Sequence, residues 1–226
     1  MTDFVLRAPP PSSVAIFDSE SRFPVRRVFC VGRNYAAHAR EMGNDERDPP
    51  FFFTKPADAL VDDGQTIPYP PLTEDLHHEA ELVVAIGTGG ADIDAADAMG
   101  HVWGYAIGND LTRRDVQAVA KKAGRPWDWG KAFDNSAICG PIHQGAHPLT
   151  GAITSSVNGI ERQRGDLDDM IWSVPEIIAA CSASVTLMPG DLIYTGTPAG
   201  VGALKRGDTC TCEIEGLGAI TTVIAP

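Results

Sequence analysis

Apolar residues along this chain come mostly in short runs divided by Gly, Pro and Asp, a rhythm of strands and turns rather than of long amphipathic helices. The runs at 28–32, 51–54, 81–86 and 102–108 read as strands because they are rich in β-branched and aromatic residues. So do those at 192–195, 209–215 and 219–224. Asn158-Gly159 between two strand-like runs signals a hairpin, and Gly216-Leu217-Gly218 signals a turn. Three helices are predicted. One runs from Asn34, as its N-cap, to Met42, with Gly43 as its stop. A second runs from Thr112, as its cap, to Ala123. A third opens on the capping box Ser173-Val174-Pro175-Glu176 and ends near Ala183. Residues 62–76 and 124–134 read as loops, the latter ordered by Pro126 and its bulky rings. Strands outnumber helices and tight turns join them, which predicts a mostly β domain with peripheral helices (α+β) and not a doubly wound parallel fold. The cluster Pro9-Pro10-Pro11-Ser12-Ser13 marks residues 1–24 as an N-terminal extension, leaving 25–226 as one domain.

Charge narrows the function classes. The 226 residues carry a net charge of -12, so no basic face for nucleic acid is expected. An anionic small molecule stays open, because a bound metal and a few local cations reverse the potential inside a pocket. Five cysteines, an odd and scattered set, point to a reducing compartment rather than a disulfide framework. Cys210-x-Cys212 lacks a second pair and reads as two strand positions rather than a zinc site. No apolar run reaches the roughly 18 residues of a membrane span, and no signal peptide is read at the N-terminus, so the expected location is the cytoplasm.

Five stretches carry candidate chemistry. In His78-Glu79-Ala80-Glu81-Leu82, the glutamates two apart on a strand project to one face. Their repulsion calls for a hard divalent cation, unless they are a solvated start to an edge strand. His38 and Glu41, three apart on the predicted helix, suit a general base oriented by a carboxylate, or else a surface pair. Asp110 ends an apolar strand just before a helix, as a metal ligand or a turn residue. Lys131, flanked by Trp129 and Phe133, reads as an oxyanion site or a snorkelling side chain. The Gly196–Gly202 loop lacks the lysine of a nucleotide P-loop but offers N–H groups to an anion.

Taken together and in order, these stretches resemble the fumarylacetoacetate hydrolase family. The matching pieces include Gly32-Arg33-Asn34-Tyr35 with His38 and Glu41, Phe53-Thr54-Lys55-Pro56, the Glu79/Glu81 run and Gly104 to Asp110. They continue through Asp115-Val116-Gln117 and Lys131-Ala132-Phe133-Asp134 to the Thr195–Gly202 loop. The resemblance implies a mixed β-roll, a homodimer and one divalent metal per subunit, Mg²⁺ or Mn²⁺ with Ca²⁺ as a further option. It implies Glu79, Glu81 and Asp110 as metal ligands, His38 with Glu41 as the water-activating dyad, and Lys131 as support for an oxyanion or enolate. Arg33, Lys55, Arg114, Gln117 and Thr197 are implied to bind the substrate's polar groups. The implied reaction is hydrolysis of a carbon–carbon bond in a 2,4-diketo acid. The 23–27 lead-in, the 50–56 run and the 124–128 loop are most similar to bacterial members that act on fumarylpyruvate in gentisate breakdown. The alternatives are an acylpyruvate hydrolase that also decarboxylates oxaloacetate, an isomerase or decarboxylase of a hydroxyhepta-diene-dioate, and a binding protein that has lost turnover.

Overall fold

The run Ala80–Ile86 is buried at every position, which a strand achieves only when both its faces are covered. The computed structural model, which describes residues 5–35, 48–147 and 149–226, places it in the middle of an eight-stranded mixed sheet. It pairs antiparallel with Val102–Asp110 on one side and Asp191–Tyr194 on the other. Arg27–Val31 and Phe52–Lys55 extend the sheet one way, and Ala137–Cys139 and Leu60–Asp62 the other.

Alternate residues serve two cores. Leu82, Val84 and Ile86 join a large cluster with Ile153, Cys210 and Ile220, which come from a five-stranded sheet stacked on that face. Val83 and Ala85 join a second cluster with Cys30 and Tyr194, covered by Val14 and Phe23 of a short N-terminal hairpin. In the five-stranded sheet, Ala152–Val157 and Ile160–Asp166 meet through Asn158-Gly159, both at positive φ (52° and 77°), as a two-residue turn of a twisted hairpin requires. Cys210 and Cys212 point inward from the strand Thr209–Ile214, and all five cysteines are buried free thiols.

The helix Val174–Ser184 opens on its capping box, with Glu176 accepting from the Ser173 N–H at 2.8 Å. One expected helix start is corrected. Thr112-Arg113 stays extended, pairs with the strand Leu76–His78, and defers the helix to Arg114–Lys122; the Thr112 hydroxyl donates to the Asp110 carbonyl instead of capping. The Asn34 side chain bonds Trp172 and Thr195, and the helix expected to follow it lies, from residue 36 on, outside the described residues. Within 124–134, Asp128–Lys131 forms one helical turn. No helix among the described residues is long and apolar enough to cross a membrane.

Away from the carboxylate cluster, the described residues include one more buried carboxylate, Asp191. It is paired with Arg26 and Arg27 at 3.1 and 3.0 Å and accepts the Met188 N–H at 2.9 Å. Both guanidinium groups keep contact with water, so losing Asp191 strands no fully buried charge. Asp191→Ala is therefore expected to cost about 2–3 kcal/mol, below the usual loss for a wholly buried pair. Calorimetry should register it as a fall in Tm of about 5–10 °C.

Candidate active site and metal centre

Glu79 occupies the break between the strands Leu76–His78 and Ala80–Ile86. Its N–H donates to the Asn109 side chain at 3.0 Å and its carbonyl accepts from the Asp110 N–H at 2.9 Å. Glu81 lies opposite Gly108 in the antiparallel pair, so Asp110, two residues on, shares its face. Gly108 is required there, because a Cβ would stand 2.5 Å from the Tyr194 ring and 2.6 Å from Val83. Glu79, Glu81 and Asp110 thereby bring one carboxylate oxygen each within 4.8 Å of the others, all three buried. This is no solvated edge: the acids converge at the inner end of central strands.

Like charges so placed need compensation. Lys131, at the end of its helical turn, donates to Glu79 Oε2 at 2.7 Å and to Asp110 Oδ2 at 2.8 Å. Arg114 closes on Glu79 Oε1 and donates to Gln117 Oε1 at 2.6 Å. Burial works to raise the Glu79 pKa, but Lys131 and Arg114 outweigh it and hold the carboxyl far below its ordinary range. Burial likewise pulls the Lys131 ammonium down, and Asp110 and Glu79 more than restore it. Glu81 accepts the Gly196 N–H at 2.8 Å and has no ion pair among the described residues. Burial, Asp110 and Glu79 push its pKa well up, which is the signature of a group still owed a positive charge. An all-oxygen donor set of three buried carboxylates fits a hard divalent cation.

Lys55 lies beneath the cluster, fully buried. Its ammonium pairs with Asp110 Oδ1 at 2.8 Å and donates to the carbonyls of Leu111 and Lys131. These contacts hold Asp110 in place. The cleft above is lined by Glu79, Glu81, Lys131, Arg114, Thr197 and Arg33, with Gln117 at its side. Arg33 lies over the Phe51 ring at 5.1 Å. Thr197 is set by Gly196, whose φ of +95° and 2.7 Å clearance to the Asn34 Cβ admit only glycine. Asn34 anchors this loop by donating to the Thr195 carbonyl at 2.8 Å. His38 and Glu41 lie outside the described residues. The sequence reading did not single out Asn109, Gln163 or the supporting role of Asn34, since their partners are distant in the chain.

The C-terminal model of fumarylacetoacetate (FAA) hydrolase matches residues 27–225. The chain belongs to the fumarylacetoacetate hydrolase family. Within that family it is 46% identical over 178 residues to the fumarylpyruvate hydrolase of Ralstonia sp, which covers 78% of this chain and 93% of that one. It is 41% identical over 206 residues to an oxaloacetate tautomerase of Escherichia coli, over 89% and 94% of the two chains. The crystal structure of fumarylpyruvate hydrolase from Pseudomonas aeruginosa in complex with Mn²⁺ and pyruvate superposes with a TM-score of 0.96 at 51% identity, covering 99% of each chain. The mostly β architecture is thus the family's fold.

Proposed function

We propose that this enzyme hydrolyses fumarylpyruvate to fumarate and pyruvate, in gentisate breakdown, as a cytoplasmic homodimer that uses Mg²⁺ or Mn²⁺. The observation that carries the reading is the convergence of Glu79, Glu81 and Asp110 beside Lys131 and Arg114. Its support in comparison is the superposition, over 99% of the chain with a TM-score of 0.96, on a relative complexed with Mn²⁺ and pyruvate. In this reading the three carboxylates hold the cation and residues 25–226 form the catalytic domain. Bound there, a divalent cation supplies Lewis-acid polarisation of the 2-oxo acid end of the substrate.

The residues do the rest. Three carboxylates balance Lys55, Lys131 and Arg114. A dication therefore leaves an excess of positive charge that a substrate with two carboxylates meets, and Arg33 adds to it. Glu41 orients His38, which takes a proton from water as the water oxygen adds to the carbonyl remote from the pyruvate end. The carbon–carbon bond then breaks, Lys131 offsets the charge of the departing enolate, and His38 returns the proton to carbon. Gln117 and Thr197 hold polar groups of the substrate.

The second reading, turnover of oxaloacetate or simple acylpyruvates, is favoured by the 41% identity to an oxaloacetate tautomerase. Loss of fumarylpyruvate absorbance, followed with Mg²⁺ and with a chelator beside acetylpyruvate and oxaloacetate, tests both. The expected result is Mg²⁺-dependent loss, one fumarate and one pyruvate per substrate, and clear preference over the other two acids. Faster turnover of oxaloacetate or acetylpyruvate would move the assignment to the second reading.

A further inference from the structure

Behind Thr197 lies a buried polar network that the proposed chemistry leaves unused. Gln163, on the strand Ile160–Asp166, is fully buried. Its Oε1 accepts the Ala80 N–H at 3.1 Å and the Ser155 hydroxyl at 3.0 Å, with His78 Nδ1 at 3.1 Å. Its Nε2 donates to the Pro198 carbonyl and to Thr197 Oγ1, both at 2.8 Å.

The direction of these bonds is fixed. A backbone N–H only donates and a carbonyl only accepts, so Ala80 and Pro198 determine which end of the amide is which. Nε2 has two hydrogens and two partners. Thr197 Oγ1 is therefore the acceptor of its bond with Gln163, and its own proton is left over. No protein group among the described residues takes that proton in a hydrogen bond, while Thr197 lines the cleft together with Glu81 and Lys131.

We propose that Gln163 is a positioning residue that fixes the polarity of Thr197, making the threonine hydroxyl a donor into the cleft. A hydroxyl held this way selects a ligand oxygen that only accepts, a carboxylate or oxo oxygen of the oxo acid, over a ligand amine or amide N–H. The assignment rests on the oxo-acid reading of the cleft and adds a residue that never touches the ligand.

A double-mutant cycle on the full chain tests it, with pyruvate as the probe in saturating Mn²⁺ and titration calorimetry as the readout. Gln163→Met removes the amide and Thr197→Val removes the hydroxyl. Each is expected to raise the pyruvate Kd about tenfold, the loss of one hydrogen bond to a charged group. Affinity for Mn²⁺ alone is expected to stay within about twofold, and the double variant to bind pyruvate no worse than either single one. Thr197→Ser, which keeps the hydroxyl, recovers most of the loss. If Gln163→Met does not fold, Gln163→Glu keeps the acceptor for Ala80 and is expected to show the same rise. Wild-type pyruvate affinity in the Gln163 variants would overturn the proposal, as would penalties that multiply in the double variant. Wild-type protein that binds Mn²⁺ but no pyruvate would instead bring down the oxo-acid reading, and this inference with it.

Discussion

Glu81→Gln is expected to lower kcat by roughly 10³-fold, because Lewis-acid catalysis is worth several kcal/mol and each 1.4 kcal/mol is a factor of ten. The substitution is nearly isosteric. Its carbonyl can still accept the Gly196 N–H that Glu81 takes at 2.8 Å, so the Thr195–Thr197 loop stays in place. What it removes is the charge that burial, Asp110 and Glu79 make costly without a cation. The metal-free variant is therefore expected to be at least as stable as the wild type. The wild type should gain about 2.7 kcal/mol when the cation is supplied at a hundred times its Kd, and the variant should gain little. Thermal unfolding with and without Mg²⁺ reads both halves. A Tm that rises equally with metal in both proteins would mean that Glu81 is not a ligand. His38→Ala provides the contrast, since it is expected to abolish turnover while sparing the metal-dependent rise.

Lys131→Met moves stability the other way. Lys131 joins Glu79 to Asp110 through contacts of 2.7 and 2.8 Å, with all three side chains buried. Methionine keeps the length and loses the charge, leaving two buried carboxylates with Arg114 and Lys55 alone. Stripped of metal, the variant is expected to lose about 3 kcal/mol, the lower part of the range for breaking a buried pair. Supplying Mg²⁺ then restores more stability than it does in the wild type, because the cation replaces the missing compensation. Turnover is still expected to fall about 10²- to 10³-fold, the usual cost of removing one charge-stabilising donor. Stability rescued by metal without recovery of turnover would separate the two roles of the ammonium; full turnover in the variant would confine Lys131 to structure.

The elements with strong local signals were legible in the chain. The Asn158-Gly159 turn and the Ser173–Glu176 box each act over a few residues, and the structure places them where the pattern does. The apolar run 81–86 read as a strand, and the structure buries both of its faces. Convergence of Asp110 with Glu79 and Glu81 was not legible from spacing, since it depends on the register that sets Glu81 opposite Gly108. The family resemblance supplied it. Thr112 misled as a helix cap because a tertiary partner, the strand Leu76–His78, outbid the local motif. Lys55 entered as a substrate ligand through the family resemblance, and its contacts with Asp110 and the carbonyls of Leu111 and Lys131, distant in the chain, had no local signal. Gln163 had no local signal at all, for its effect on Thr197 is exerted across 34 positions of sequence.

The most direct test of the central claim is anomalous diffraction from crystals of the full chain grown with Mn²⁺. The account predicts one strong peak per chain within about 2.0–2.6 Å of an oxygen from each of Glu79, Glu81 and Asp110, the distances of hard cations to oxygen. A peak elsewhere, or none at these carboxylates in protein whose turnover requires Mn²⁺, would contradict it.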